Sequence, residues 1–367
     1  MRPFSGFLII ATCVCFSLAS SAQQFDPPVA YPTGALAPSA VSIGDLNGDG
    51  RMDVVAVNSD LSGTVGVLLG NGDGTLRPVV TYPAGAYPAF VVLADFNHDG
   101  FLDIAVANRA IGTPGQVNIL LGNGDGTFKA PVPYGPFNDA FSIALGDFNG
   151  DGNLDIAVGD VSTGSLLLGK SNGTFKHAIS IGANAPVAFA VADYNGDGKL
   201  DLVSAFNTGM QLQMLLGNGH GKFKLQSTFP VSTPPIALVA GDFNNDGIPD
   251  FAVADEAVND LDSNVTVFES SPSGYLSKIY PYGDEPRCIV ATKLSKLGAL
   301  DLMTSNEFNG TVDVFRNSKT GKFSKPLVLE DGNVVAGYLA VGDLNGDGKT
   351  DIVVADGLNY VHVILQK

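Results

Sequence analysis

The sequence is poor in residue types that define several common classes of protein. Tryptophan is absent, and 20 Lys and Arg against 37 Asp and Glu give a net charge of −17. Because such a chain repels phosphate backbones, we expect no nucleic-acid partner. Glutamate is scarce as well, with five Glu against 32 Asp. An excess of the shorter acid indicates turns or ion-binding sites rather than a merely solvated acidic surface.

Long apolar runs are missing except at the N-terminus. Residues 1–22 carry Arg2, an apolar stretch over residues 7–16 and small residues at 20–22, the pattern of a secretory signal peptide. The stretch is shorter than the ~20 residues of a membrane-spanning helix. We therefore expect a secreted protein, extracellular or periplasmic, with no membrane insertion after cleavage. The alternative is an uncleaved anchor.

Cysteine is nearly absent from the predicted mature chain, residues 23–367. Cys13 and Cys15 lie in the signal segment, which leaves Cys288 alone. A lone cysteine forms no internal disulfide, so the stability of this secreted domain must have another source.

What the chain has instead is one unit repeated seven times. A segment of the form DxNxDGxxD recurs about every 50 residues. Its starts are Asp45, Asp95, Asp147, Asp193, Asp242 and Asp343, with a degraded copy, KLSKLGALD, at Lys293. A second motif, LLGNGDGTF or a variant of it, lies in the second half of the unit and reads as a tight hairpin turn, with a second ion site as the alternative.

Short apolar runs rich in Val, Ile and Ala lie between the two motifs, as at residues 54–57, 104–107 and 352–355. They are too short for helices and are bounded by Gly, Asn and Asp, which indicates strands joined by tight turns. Each unit then holds four strands. The chain is therefore predicted to be all-β, a single seven-bladed β-propeller over residues 23–367.

The two ends of the mature chain complete each other. Residues 25–32 (FDPPVAYP) resemble residues 76–83 (LRPVVTYP), a fourth strand, whereas residues 361–365 match a third strand. We expect the N-terminal strand to complete the C-terminal blade and to close the ring, which removes an open sheet edge.

Each intact DxNxDGxxD segment has the composition of a calcium loop. Oxygen-bearing side chains stand at positions 1, 3, 5 and 9, and Gly permits the turn at position 6. Position 7 varies, as expected of a residue that contributes only its carbonyl. Three carboxylates in one turn repel one another without a cation, so we predict about six Ca²⁺, which suits many flexible oxygens better than Mg²⁺ does. The candidate ligands are Asp45, Asn47, Asp49, Arg51, Asp53, Asp95, Asn97, Asp99, Phe101, Asp103, Asp147, Asn149, Asp151, Asn153, Asp155, Asp193, Asn195, Asp197, Lys199, Asp201, Asp242, Asn244, Asp246, Ile248, Asp250, Asp343, Asn345, Asp347, Lys349 and Asp351.

Asx-rich turns without an ion are the alternative interpretation, which six-fold repetition disfavours. The sixth unit has Lys293, Ser295 and Leu297 at ligand positions and keeps only Asp301. We expect no calcium there. One hypothesis places the ammonium of Lys293 or Lys296 beside Asp301 instead, and a solvated lysine is the alternative.

The DxNxDGxxD loops, the LLGNGDGTF turns and the repeat period resemble the FG-GAP/VCBS repeats of integrin α-subunit propellers and of many secreted bacterial proteins. The resemblance covers nearly all of the mature chain, and the sixth unit departs from it. It implies calcium held at positions 1, 3, 5, 7 and 9, and a role in adhesion or ligand binding.

Strand alternation predicts which face of the disc binds a ligand. The turns between strands one and two and between strands three and four share one face, and the other loops share the second. Because calcium would occupy the first face, we expect the second to bind an extracellular protein or glycan. Tyr82 and Tyr134, near that face, are expected to pack between blades, with sugar stacking as the alternative.

Three functions are compatible with this composition. The leading one is a monomeric calcium-binding interaction module of the adhesion type, not an enzyme. A lectin-like carbohydrate binder is its specific form. The third is a polysaccharide hydrolase or lyase, for which Glu256, Glu285 and Glu307 would have to gather as an acid/base pair. We expect them to be solvated loop residues.

Overall fold

The computed structural model describes residues 24–109, 111–256, 263–282, 285–295, 298–307, 309–330 and 337–367. The predicted signal peptide, residues 1–22, lies outside them. The described chain folds into seven antiparallel sheets of four strands each. No helix in these ranges is long and apolar enough to cross a bilayer.

The strands follow the chain blade by blade, and each blade runs from an inner first strand to an outer fourth strand. Blade one holds β2 (Pro38–Gly44), β3 (Asp53–Asn58), β4 (Thr64–Leu68) and β5 (Val80–Pro83). Blade two holds β6 (Pro88–Ala94), β7 (Asp103–Asn108), β8 (Gly115–Leu120) and β9 (Val132–Phe137). Blade three holds β10 (Ser142–Gly146), β11 (Asp155–Gly159), β12 (Thr163–Leu167) and β13 (Ile179–Asn184). Blade four holds β14 (Pro186–Ala192), β15 (Asp201–Phe206), β16 (Gln211–Gly217) and β17 (Phe223–Pro230), with the 3₁₀ turn Asn207–Gly209 after β15.

The remaining blades keep the same order. Blade five holds β18 (Pro235–Gly241), β19 (Asp250–Asp255), β20 (Ser263–Glu269) and β21 (Leu276–Tyr282). Blade six holds β22 (Pro286–Thr292), β23 (Asp301–Asn306), β24 (Thr311–Phe315) and β25 (Leu327–Glu330). Blade seven holds β26 (Leu339–Gly342), β27 (Asp351–Ala355) and β28 (Tyr360–Ile364), and its fourth strand is β1 (Val29–Pro32) from the other end of the chain.

The ring closes as predicted. Strand β1 pairs antiparallel with β28, with Val29 opposite Val363 and Pro32 opposite Tyr360. The first strands of neighbouring blades also contact one another around the ring. For example, β2 of blade one packs against β6 of blade two and β26 of blade seven. The predicted seven-bladed propeller and its closure by the N-terminal strand are therefore confirmed.

The second strand of each blade explains the short apolar runs. Every residue of β3, β7 and β27 is buried, because blades pack against both faces of this strand. Val, Ile and Ala suit a strand that meets no water on either side. The outer fourth strands, such as β5, are mostly exposed.

The disc has two distinct faces. The DxNxDGxxD loops join strands one and two, and the second-motif turns join strands three and four, on what we call the motif face. Here the turn of one blade bonds to the loop of the preceding blade, as the Gly221 amide does to the Phe148 carbonyl at 2.9 Å. The loops between strands two and three and between blades form the opposite face, where the Arg109 amide bonds to the Tyr87 carbonyl at 3.0 Å.

Candidate metal centres and the opposite face

The six intact loops are held in shape by hydrogen bonds that their backbone amides donate to their own side-chain oxygens. In blade one, the Asp49 amide donates both to Asp45 Oδ1 at 3.2 Å and to Asn47 Oδ1 at 2.9 Å. The Gly50 amide donates to Asp45 Oδ2 at 2.8 Å, and the Arg51 amide to Asp49 Oδ1 at 3.0 Å. Side-chain oxygens of positions 1 and 3 therefore converge on one amide, so they lie close together in a single exposed turn.

The backbone of the loop is left-handed at two positions. Position 6 is Gly in every loop, with φ of +79° at Gly50. Position 4 also has positive φ, and it is occupied by His98 (φ 60°) and Asn245 (φ 59°) as well as by Gly. Asn and His tolerate this conformation better than most residues, which explains why position 4 varies among these three types.

Position 2 anchors the loop in the core. Leu46 is 1% exposed and Phe243 0% exposed, and the corresponding residues of the other blades are buried as well. Position 2 is apolar in every copy of the motif, which is a signal of burial in the sequence. Sequence reasoning did not use this signal and so missed the anchoring role of position 2.

The aspartate at position 9 joins the two motifs of its blade. Asp103 Oδ2 accepts the Phe96 amide at 2.9 Å, and its Oδ1 accepts the Gly122 amide of the second motif at 2.8 Å. The same pair of bonds forms in all seven blades, at 2.7–3.2 Å, for Asp53, Asp103, Asp155, Asp201, Asp250, Asp301 and Asp351. All seven are fully buried. This aspartate therefore has a structural role even in the blade that has lost its loop.

Burial makes the negative charge at position 9 costly. Burial, helped by the acidic side chains at positions 5 and 1, raises the pKa of Asp103 and of Asp155 to about 6 against the lowering effect of the two amides. A cation in the loop would offset both causes.

The loop residues fit a hard cation by their chemistry. Positions 1, 3 and 5 present carboxylate and amide oxygens, the ligands that calcium prefers, and they share one exposed turn. Across the described residues, no three His, Cys, Asp or Glu side chains are already gathered as a metal site, since position 3 is Asn and the position 9 carboxylate points to the amides. Blade three differs in detail, because the Asn149 amide group donates to Asp155 Oδ1 at 3.2 Å.

The sixth blade has a different cation beside its aspartate from the one hypothesised. Arg316 Nη1 lies 3.2 Å from Asp301 Oδ2, whereas Lys293 is exposed and Lys296 lies outside the described residues. Arg316 stands in the second motif, at a position where five other blades have Leu. The lysine hypothesis is therefore wrong for Lys293, and the guanidinium of Arg316 takes that place.

The second-motif turns are closed by their own side chains. Asp73 Oδ1 accepts the Thr75 amide at 2.9 Å and the Thr75 hydroxyl at 2.6 Å, and Asn71 donates to that hydroxyl. These bonds lower the pKa of the exposed Asp73. The geometry is that of a tight hairpin turn, as expected.

The tyrosines of the fourth strands pack between blades. Tyr82 meets Phe128 of the next blade edge-on with ring centroids 5.5 Å apart, and Tyr134 meets Phe175 in the same way at 5.3 Å. Tyr280 repeats the contact with Phe323 at 5.5 Å. The expectation that Tyr82 and Tyr134 pack between blades is confirmed.

The three glutamates lie on the opposite face. The Glu307 amide bonds to the Glu285 carbonyl at 2.8 Å, and the Glu307 carboxylate pairs with Arg287 Nε at 3.0 Å. Partial burial raises the pKa of Glu256, and the charges of Glu285 and Glu307 raise it further against the effect of Arg287. The three side chains thus share one sector of the face.

The fold and the repeated acidic loops define a seven-bladed β-propeller with one acidic loop in each of six blades. The family model described as "FG-GAP-like repeat" matches residues 45–106, 107–158, 150–204, 193–253 and 298–354. These matches span most of the chain, and the chain belongs to the FG-GAP-like repeat family. Among curated protein sequences, no relative matches it.

Solved propellers share the fold at low sequence identity. BBS1N, solved in complex with ARL6DN and soaked with mercury, superposes with a TM-score of 0.66 at 15% identity, over 94% of this chain and 97% of that one. The lead-soaked form gives a TM-score of 0.64 at 16% identity, over 94% and 96% of the two chains. A lectin of Agrocybe aegerita that recognises non-reducing terminal N-acetylglucosamine gives 0.57 at 20% identity, over 87% and 85%.

Proposed function

We propose that the protein is a secreted, calcium-stabilised β-propeller that acts as a protein or glycan interaction module of the adhesion type. The observation that carries the proposal is the same oxygen-rich turn repeated six times on one face of a closed disc. A cation that neutralises the carboxylates would explain why the same turn recurs. One similar propeller was solved in complex with ARL6DN and another is a lectin that recognises N-acetylglucosamine, which agrees with an interaction role.

Side-chain oxygens at positions 1, 3, 5 and 9, with the carbonyl of position 7, would hold each ion. The ion supplies positive charge in a turn that otherwise brings three carboxylates together. Because calcium would bind the folded state alone, each site adds stability of RT ln(1 + [Ca²⁺]/Kd), about 2.7 kcal/mol at a hundredfold excess over Kd. The proposal assigns no catalytic reaction to the chain.

One groove supports the lectin-like form of the proposal. A groove of about 470 Å³ between blades two and three is lined by Tyr134, Phe175, Lys170, Lys176 and His177. Its aromatic walls and cationic groups suit a sugar that carries a carboxylate or sulfate.

An array of glycans and extracellular matrix proteins, probed with and without calcium, tests the proposal. Calcium-dependent binding to a member of the array is expected. Absence of binding together with a melting curve unchanged by EGTA would overturn it.

A further inference from the structure

The opposite face carries a ring of exposed aliphatic side chains at its loop tips. Leu61 is 72% exposed, Val161 55% and Leu358 55%. We call the ring the crown, and its members are Leu36, Leu61, Ile111, Val161, Met210 and Leu358. Five of the seven blades, and the loop that enters blade one, contribute to it by different sequences. Apolar loop tips from several blades that share one face indicate a surface that another molecule covers.

Inside the crown, the ring axis opens into a funnel of about 510 Å³. Its wall is formed largely by the second residue of the first strand in five blades, where that strand bulges: Ser39, Ala89, Val187, Ile236 and Arg287. Three adjacent apolar residues, Phe141, Val187 and Ile236, line one sector. The next sector has Arg287 and Glu307.

The charge around the funnel is negative. Its two arginines are already paired, Arg109 with Asp139 at 2.9 Å and Arg287 with Glu307 at 3.0 Å. Glu256 directly follows its second strand, as Arg109 and Glu307 follow theirs, so it stands on the same rim. Glu256 and Glu285 therefore add net negative charge to the sector beside Glu307.

We propose that the crown and funnel together bind a protein partner whose contact surface is apolar with a basic centre. The crown packs on the apolar part, and a basic side chain of the partner meets the carboxylates of Glu256 and Glu285. A second copy of this chain would bring like charges together, and an anionic bilayer would be repelled. Aliphatic tips offer no hydrogen bonds to a neutral glycan. The inference rests on the proposed interaction function and names its surface and partner class.

Selection of a phage-displayed library of random dodecapeptides on the calcium-loaded protein tests the inference. The crown variant Leu61→Ser/Ile111→Ser/Leu358→Ser serves for counter-selection, and Val80→Ser/Leu225→Ser, at exposed apolar residues of the outer strands β5 and β17, is the matched control. We expect enriched peptides that combine basic and apolar residues. Synthetic copies should bind the crown variant about tenfold more weakly, equivalent to about 1.4 kcal/mol, and the control variant unchanged.

A second variant separates charge from folding. Glu256→Gln/Glu285→Gln should weaken the same peptides several-fold and reduce the salt dependence of binding. The inference is overturned by a library that yields no enrichment, by peptides that bind the crown variant equally well, or by crown-dependent binding to phosphatidylcholine vesicles with or without phosphatidylserine. A ligand that binds the crown variant normally would overturn this inference and leave the interaction function standing.

Discussion

Arg316 and Asp301 form an ion pair in the one blade that has lost its loop acids. Arg316 Nη1 lies 3.2 Å from Asp301 Oδ2, and the aspartate side chain is fully buried. Arg316 Nη2 also donates to Gln24 Oε1 at 2.8 Å, at the end of the chain that closes the ring. In blade six, the side chain of Arg316 thus supplies the positive charge beside the position 9 aspartate, where the other blades have a loop of acidic oxygens.

Replacement of Arg316 by Leu should destabilise the protein. Five other blades have Leu at the equivalent position (Leu69, Leu121, Leu168, Leu216 and Leu365). A leucine side chain therefore fits there, and the loss of stability measures the effect of removing the charge. A buried carboxylate without its cation costs about 3 kcal/mol, which urea unfolding would measure. Arg77→Leu is the control, since Arg77 lies 3.9 Å from Asp49 in an exposed pair and should cost below about 1 kcal/mol. Equal stability of Arg316→Leu and the wild type would refute the pairing.

Substitutions at positions 9 and 5 should separate structure from ion binding. In Asp103→Asn, the side-chain NH₂ group faces one of the two buried backbone amides, that of Phe96 or of Gly122, and leaves it without an acceptor. The free energy of unfolding should therefore fall by about 2 kcal/mol, with or without EGTA. Asp99→Asn keeps an oxygen for the Phe101 amide and should lower the melting temperature in calcium only. Differential scanning calorimetry in both buffers decides. If EGTA abolished the loss of stability caused by Asp103→Asn, the aspartate at position 9 would act as a calcium ligand only.

Asp255→Asn should stabilise the protein at neutral and alkaline pH. Asp255 ends strand β19, fully buried, where β3, β7 and β23 end in Asn. Burial raises the pKa of Asp255 to about 8, well above its unfolded value near 4. The folded protein therefore holds a proton that the unfolded chain releases, and wild-type stability falls as pH rises from about 4 to about 8.

The variant lacks this pH-dependent loss. Its advantage in unfolding free energy should be absent at pH 4, grow through that window to about 2 kcal/mol or more, and stay level above it. Denaturant unfolding at several pH values measures the difference. An advantage independent of pH would mean that titration of Asp255 is not its cause.

The hydroxyl of Tyr280 should stabilise the contact between blades five and six. It donates to the Gly321 carbonyl at 3.1 Å and accepts the Phe323 amide at 3.3 Å. Tyr280→Phe should cost about 1 kcal/mol while keeping the ring contact. Tyr82→Phe is the matched control, because the Tyr82 hydroxyl lies 3.5 Å from the Gly126 carbonyl and should matter less. The reverse order of losses would contradict this assignment.

The repeat period and the two chain ends sufficed to predict the fold, since four short strands per unit leave few arrangements and β1 resembles a fourth strand. The loop residues were identifiable from spacing. The structural role of Asp103 was not, because its partner amide in Gly122 lies 19 residues away and is brought near by folding alone. The retention of Asp301 in the degraded copy was the available signal.

Other features depend on contacts that no local pattern encodes. Arg316 replaces a Leu in the blade with the degraded loop, yet its approach to Asp301 requires strands β23 and β24 to pair. The crown comes from loops with unrelated sequences, so only the folded structure reveals that Leu61, Ile111 and Leu358 lie on one face.

Native mass spectrometry of the calcium-loaded mature protein tests the central claim most directly. The account predicts six bound ions, one for each intact DxNxDGxxD loop, with full release in EGTA. An ion-free protein at millimolar calcium, or a stoichiometry of seven, would contradict it.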